Sequence, residues 1–203
     1  MDKFKNKYRI PSARLQSWDY GANGAYFITI CTQNREHFFG EIANNEMQLN
    51  EWGQWAEKYW TEIPNHFPFI ELGNFVVMPN HTHGILIFDK PDTVLPVDAP
   101  NVEARFIAPL RTIEPPTQQI NAKPIGGFAG NKNPMLNDNI SRIIRWYKGR
   151  CSFEINKNHA DFGWQSRFHD HIIRNLESFE TIQNYIANNP MNWEKDKFYN
   201  NCE

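Results

Sequence analysis

Two histidines one residue apart, His81 and His83, stand in the run Val76-Val77-Met78-Pro79-Asn80-His81-Thr82-His83-Gly84-Ile85-Leu86-Ile87-Phe88. The apolar stretch reads as a strand, and along a strand residues i and i+2 face the same way. Both imidazoles then project together while Thr82 points away, and two neutral imidazoles can share one metal ion. Surface histidines on a half-exposed strand would give the same pattern, so the pair does not decide alone. A second chemical pair lies about a hundred residues later, in Tyr185-Ile186-Ala187-Asn188-Asn189-Pro190. Phe179, Ile182 and Ile186 recur at helical spacing, Asn175 or Ser178 could cap the start, and Pro190 disfavours helix at the residue before it. The spacing predicts a helix over about 176–189, with Tyr185 and Asn189 four apart on one face. The alternative is a core tyrosine whose hydroxyl simply reaches water.

Together with Trp164-Gln165-Ser166-Arg167-Phe168-His169-Asp170-His171-Ile172-Ile173-Arg174-Asn175, these two segments resemble the HUH (His-hydrophobic-His) single-tyrosine transposases, and among them the REP-associated tyrosine transposases. The likeness covers about residues 20–88 and 136–195. Thr82 departs from the family, which usually has a bulky apolar residue between the histidines; that side chain faces away from the metal, so packing rather than chemistry should change. The resemblance implies that His81 and His83 bind a divalent ion, that Asn189 stands where the family has its third, amide or carboxylate, ligand, and that Tyr185 is the nucleophile. It further implies a DNA strand transferase that nicks and rejoins single-stranded or hairpin DNA through a 5′-phosphotyrosine intermediate.

The chemistry accounts for those residue types. A phenol titrates near about 10, so it needs a nearby cation or base to react at neutral pH. Two nitrogens and an amide leave a metal its full charge, able to polarise a phosphate during in-line displacement. Such a set suits Mg or Mn with water in the remaining positions, where structural zinc would more often recruit cysteine. Two rival readings are a domesticated nucleic-acid-binding protein of this fold with little cleavage activity and a metal-dependent phosphodiesterase that uses water. Relatives act as monomers or as dimers that exchange the tyrosine helix, so a homodimer stays open.

The chain of 203 residues is 40% hydrophobic and 14% aromatic, enough for one folded domain spanning 1–203. It has no run of 18 apolar residues and no secretory leader, so a cytoplasmic protein with no membrane contact is expected. Cys31, Cys151 and Cys202 show no regular spacing and read as reduced thiols. A net charge of −2 is awkward for a DNA partner, but its distribution is uneven. Residues 1–14 carry five cations against Asp2, a local +4, and residues 141–174 carry seven cations against three anions, again +4. Arg142, Arg145, Lys148, Arg150, Arg167 and Arg174 are therefore the candidate phosphate contacts, a solvated helix face being the alternative. Trp146 and Tyr147 interleave with these cations and could stack on unpaired bases. Arg167 or Arg174 could clamp a phosphate with paired guanidinium donors. His169 and His171 form a second i, i+2 pair, less favoured as a metal site because no continuous apolar strand follows it.

The elements that would position these groups alternate. Strands are predicted over Tyr26 to Thr32, Phe69 to Val77, His81 to Phe88 and Phe168 to Ile173, and helices over about 51–63, 138–156 and 176–189. A small hairpin over 41–49 should turn at Asn44-Asn45, and Asn50 could cap the first helix. Strand, helix, strand, strand, helix, strand is the ferredoxin-like, split βαβ order of an α+β fold: an antiparallel four-stranded sheet with helices on one face. Residues 90–137 lack periodicity and hold eight of the thirteen prolines, which reads as a long Pro-rich insertion. Its end, Gly126-Gly127-Phe128-Ala129-Gly130, could approach DNA closely or serve as a spacer.

Overall fold

The computed structural model describes residues 18–91, 138–158 and 161–199. The basic stretch 1–14, nearly all of the predicted insertion and Cys202 lie outside the described residues. Four strands, β1 (Gly24–Cys31), β4 (Ile70–Met78), β5 (His81–Phe88) and β6 (His169–Ile173), form one antiparallel sheet in the order β4-β5-β1-β6. With helices α1 (Glu51–Thr61) and α3 (Ile140–Ile155) between them, the chain traces the predicted split βαβ order. A hairpin of β2 (Gly40–Ala43) and β3 (Glu46–Leu49) stands apart, and a one-turn helix α2 (Ile63–His66) leads into β4.

Local chemistry sets the boundaries. Asn44 and Asn45 both adopt left-handed backbone, φ 54° and 63°, which a two-residue hairpin turn needs and which asparagine tolerates. Asn50 Oδ1 accepts the N–H groups of Trp52 and Gly53, each at 3.0 Å, and caps α1. Asn139 caps α3 and Asn175 caps α4 (Leu176–Ala187) in the same way, at 3.2 and 2.8 Å. Pro190 ends α4 and opens a 3-10 helix over Pro190–Lys195.

The two faces of the sheet are covered differently. Tyr26, Ile28 and Ile30 of β1 and Leu86 and Phe88 of β5 pack with Trp60 of α1 and with Ile143, Ile144 and Tyr147 of α3. The opposite face, carrying Ala25, Ile85 and Ile173, packs against Phe179, Ile182 and Ile186 of α4. Thus α1 and α3 share one face as expected, while α4, coming after the split βαβ unit, covers the other. Thr82 lies on the α1/α3 face with its hydroxyl 3.3 Å from that of Tyr147, so its departure from an apolar residue is matched by a polar partner on α3. Lys90 Nζ donates to the carbonyls of Gly21 and Asp138, both at 2.6 Å, and draws together the borders of the 90–137 segment. No helix among the described residues is long and apolar enough to cross a membrane.

Gly84, between the histidines and the apolar half of β5, is dictated by contact: a Cβ there would overlap the buried ring of Trp60. Gly84→Ala should therefore destabilise the fold by about 1–3 kcal/mol through overpacking. Urea unfolding would read this as a lowered midpoint with an unchanged slope; an unchanged midpoint would show that Trp60 can move aside.

Candidate active site and metal centre

His81 and His83 project from β5 onto the α4 face, on the same side as Thr29 and Cys31 of β1, their register partners Cys31↔His81 and Thr29↔His83. They are not surface histidines, being 0% and 1% exposed. Asn80 orients the first ring. Its amide nitrogen donates to the carbonyls of Arg35 and Phe198 at 3.1 and 2.8 Å, which leaves its oxygen, 2.8 Å from His81 Nδ1, as an acceptor. The proton of His81 therefore sits on Nδ1, and Nε2 carries a lone pair; that atom is buried and has no hydrogen-bond partner among the described residues. His83 Nδ1 meets the Thr29 hydroxyl at 2.8 Å, a group that can donate or accept; where that hydroxyl accepts from Nδ1, Nε2 presents a lone pair as well.

Phe198 and Trp193 close over the imidazoles, with ring centroids 4.7 and 5.9 Å from His81, and Phe27 lies 5.1 Å from His83. This burial pushes both imidazoles toward the neutral form. His81 is held well below the ordinary histidine range by burial and then by the charges of His83, Lys197 and Arg35; His83 falls to about 3 by burial, partly opposed by Asp196.

Tyr185, on the last turns of α4, brings its hydroxyl 3.2 Å from His83 Nε2 and donates to Asp196 Oδ2 at 3.1 Å. Its edge meets Phe27, and the residue remains 40% exposed, open to a partner from solvent. Partial burial and then the Asp196 charge raise its pKa above the usual phenol range. Asn189 is 1% exposed. Its amide nitrogen donates to Asp196 Oδ2 at 2.9 Å, so the amide orientation is set and Oδ1 is left buried without a partner among the described residues. His81, His83 and Asp196 each offer a ligand atom within 4.8 Å of the others.

Two buried neutral imidazoles and a carboxylate, those of His81, His83 and Asp196, converge on one spot, with the buried Asn189 amide bonded to that carboxylate, and match the donor set of a divalent cation. Tyr185 borders a cleft of about 340 Å³ lined also by Thr181, Asn184, Asn188, Asn189, Asn192, Lys195 and Asp196.

The predicted phosphate contacts do not gather there. Arg142, Arg145 and Arg150 lie on the outer side of α3, across the sheet from the histidines; Arg142 pairs with Asp138, and Arg150 reaches Glu154 and the Tyr59 hydroxyl. Lys148 donates to the carbonyls of Gln165 and Arg167, the latter at 3.1 Å, and so props the 164–167 loop. Its partial burial lowers its pKa to about 8. Arg167 and Arg174 are exposed at opposite ends of β6. Tyr147 is fully buried and cannot stack on a base, and Trp146 is partly buried and packs against His66 and Phe67, so the pair does not form the expected stacking platform on α3. His169 and His171 are exposed on β6, with His169 across Thr29 from His83. Asp196, Lys195 and Lys197 were not singled out by the sequence; they lie in a short polar tail where spacing carries no signal.

No family model matches the chain. A protein of Haemophilus influenzae, described only as uncharacterised, is 34% identical over 189 residues, which cover 93% of this chain and 92% of that one. The solved structure of a REP-associated tyrosine transposase bound to a REP hairpin matches 93% of this chain and 77% of its own, with 17% identity and a TM-score of 0.54, and so shares the fold. A Deinococcus radiodurans structure matches 89% of this chain and 97% of its own at 12% identity, but its TM-score of 0.42 is too low to carry an argument.

Neutral burial makes the site sensitive to acid. The folded chain keeps His83 uncharged down to about 3, whereas the unfolded chain protonates near about 6.5, so between those values the unfolded state binds more protons and stability falls as pH drops. Urea unfolding between pH 7 and 4.5 should show a loss of up to about 1.4 kcal/mol per pH unit for each imidazole, with a shallower slope in His83→Gln. Equal slopes in the two proteins would contradict the buried neutral state.

Proposed function

We propose that this chain, which belongs to one family with the Haemophilus influenzae protein and has the fold of the HUH single-tyrosine transposases, nicks and rejoins single-stranded DNA at hairpin-containing sites through Tyr185. The observation that carries the reading is the meeting, within one chain, of the Tyr185 hydroxyl with His83 Nε2 at 3.2 Å. That contact sets a phenol hydroxyl beside a pair of buried neutral imidazoles. It is the arrangement needed when a weak nucleophile must act next to a cation.

His81, His83 and Asn189 would hold a Mg or Mn ion, whose charge, when bound, offsets the charge that builds up on the phosphate. The chain's own groups do the rest. The cleft beside α4 offers the amides of Asn184, Asn188 and Asn192 and the ammonium of Lys195 to a sugar-phosphate strand, placing a scissile phosphate against Tyr185. Tyr185 Oη attacks phosphorus and the bond from phosphorus to the 3′-oxygen breaks. The 5′-phosphate stays on the tyrosine, and the departing 3′-oxygen takes up a proton. The phenol proton passes to Asp196 Oδ2, its hydrogen-bond acceptor at 3.1 Å. Attack by a 3′-hydroxyl on the phosphotyrosine reverses the step and joins a strand, with no water consumed.

The REP hairpin in the related structure makes a stem-loop the natural first substrate to try. Incubation with a 5′- and 3′-labelled hairpin oligonucleotide and Mn should yield a covalent protein–DNA adduct. The adduct should vanish in Tyr185→Phe and fall by about 10²-fold or more in His81→Ala or His83→Ala. Free 5′-phosphate ends without an adduct would replace this reading by a water-using phosphodiesterase, and a mobility shift with intact DNA by a binding protein.

A further inference from the structure

We infer that Asp196 is a charged ligand of the cation and that the same carboxylate fixes the Tyr185 hydroxyl, so that one side chain holds ion and nucleophile in register. This rests on the reading of His81 and His83 as ion ligands and adds to it a residue that the resemblance does not supply.

Asp196 is not a loose surface acid. It follows directly on the 3-10 helix Pro190–Lys195, and its backbone N–H donates to the Trp193 carbonyl at 2.9 Å while its own carbonyl accepts from Tyr199 at 2.9 Å. Its carboxylate is held from three directions: Oδ1 accepts the Phe198 N–H at 2.7 Å, and Oδ2 accepts from Tyr185 at 3.1 Å and from Asn189 at 2.9 Å. An ionised carboxylate has about four lone-pair sites, so three donors leave room for one more partner. The partner's position is marked by what surrounds it, since ring nitrogens of both His81 and His83 lie within 4.8 Å of the carboxylate. Ligands of one divalent ion stand roughly 3–4 Å apart, so a slight closing of these side chains completes the set.

Two independent observations point to an ion rather than to a chance acid. His81 Nε2 and Asn189 Oδ1 are buried acceptors without a donor among the described residues. For Asn189 the free atom is the oxygen because Asp196 takes the amide N–H. Asp196 would therefore act twice, as a ligand and as the group that holds the Asn189 amide nitrogen and leaves its oxygen unpaired. The net charge of the occupied site becomes +1 in place of +2. The ion then sits one carboxylate away from the reacting phenol.

The test is Mn binding by the full chain, read by the electron paramagnetic resonance signal of free Mn, with thermal unfolding of each ion-free variant alongside. Wild type should bind one Mn, and His81→Ala should abolish that binding. Asp196→Asn, which keeps the shape and loses the charge, should weaken binding by about 10- to 100-fold. Asp196→Glu should recover part of the loss, which separates a ligand from a residue that merely supports the fold. Tyr185→Phe, which removes a donor to the carboxylate and leaves the carboxylate in place, should shift affinity by less than about threefold. Binding by Asp196→Asn within twofold of wild type, or no recovery in Asp196→Glu, would overturn the inference while His81-dependent binding left the underlying reading intact. Wild type that binds no Mn, or His81→Ala that binds like wild type, would overturn both.

Discussion

Two imidazoles are placed where water cannot reach them, and one ring nitrogen, His81 Nε2, is left without a hydrogen-bond partner among the described residues. A buried polar atom with no partner costs about 1–3 kcal/mol, and among the described residues such atoms stand on His81, beside His83 and Asp196, and on Asn189, which bonds to Asp196. The cost makes physical sense if the atoms await a ligand. Burial of the rings under Phe198, Trp193 and Phe27 also removes the competing proton, because a desolvated imidazole stays neutral far below its ordinary pKa. Exclusion of water thus both prepares the ligands and strengthens any charge interaction made there.

The rest of the fold serves that placement. The β1–β5 register sets Thr29 against His83, and the turn before β5 sets Asn80 against His81, so each ring is fixed through the nitrogen it does not offer. Gly84 lets Trp60 press against β5 from the other face, and Thr82 bonds to Tyr147 there, so β5 is held from behind while its histidines face α4. On that side α4 packs through Ile182 and Ile186, which leaves Tyr185 at its rim, half in the site and half in the cleft. The sheet is a rigid mount for the ligands, and the helix presents the nucleophile across from it.

Much of this was legible in the residues. The period-two spacing of His81 and His83 forecast a shared face, and the four-residue spacing of Tyr185 and Asn189 forecast theirs; a strand before an apolar run and a helix before a proline are strong local signals. Asn44-Asn45, Asn50 and Asn175 marked their turn and caps for the same reason, since asparagine answers to backbone geometry next to it. What stayed hidden is tertiary. Asp196 is one of the chain's 23 acidic residues, in a segment without periodicity, and only the fold of the chain over Phe198 carries it to the histidines. Tyr147 looked like a stacking residue beside arginines because sequence proximity does not tell which side of α3 meets the sheet. Lys148 likewise read as a phosphate contact, though its ammonium is occupied by two backbone carbonyls. Cations on the outer face of α3 and those near the cleft are separated by the whole thickness of the sheet, a distance that no charge count along the chain can reveal.

The central claim is that the two ring nitrogens grip one divalent cation beside the phenol. Crystals of the full chain soaked in a manganese salt, with anomalous data collected at the manganese edge, test it most directly. One strong anomalous peak is expected about 2.1 Å from Nε2 of both His81 and His83, on the side of the ring pair that faces Tyr185. A map empty at that point, or a peak confined to another group such as the exposed His169 and His171, would contradict it.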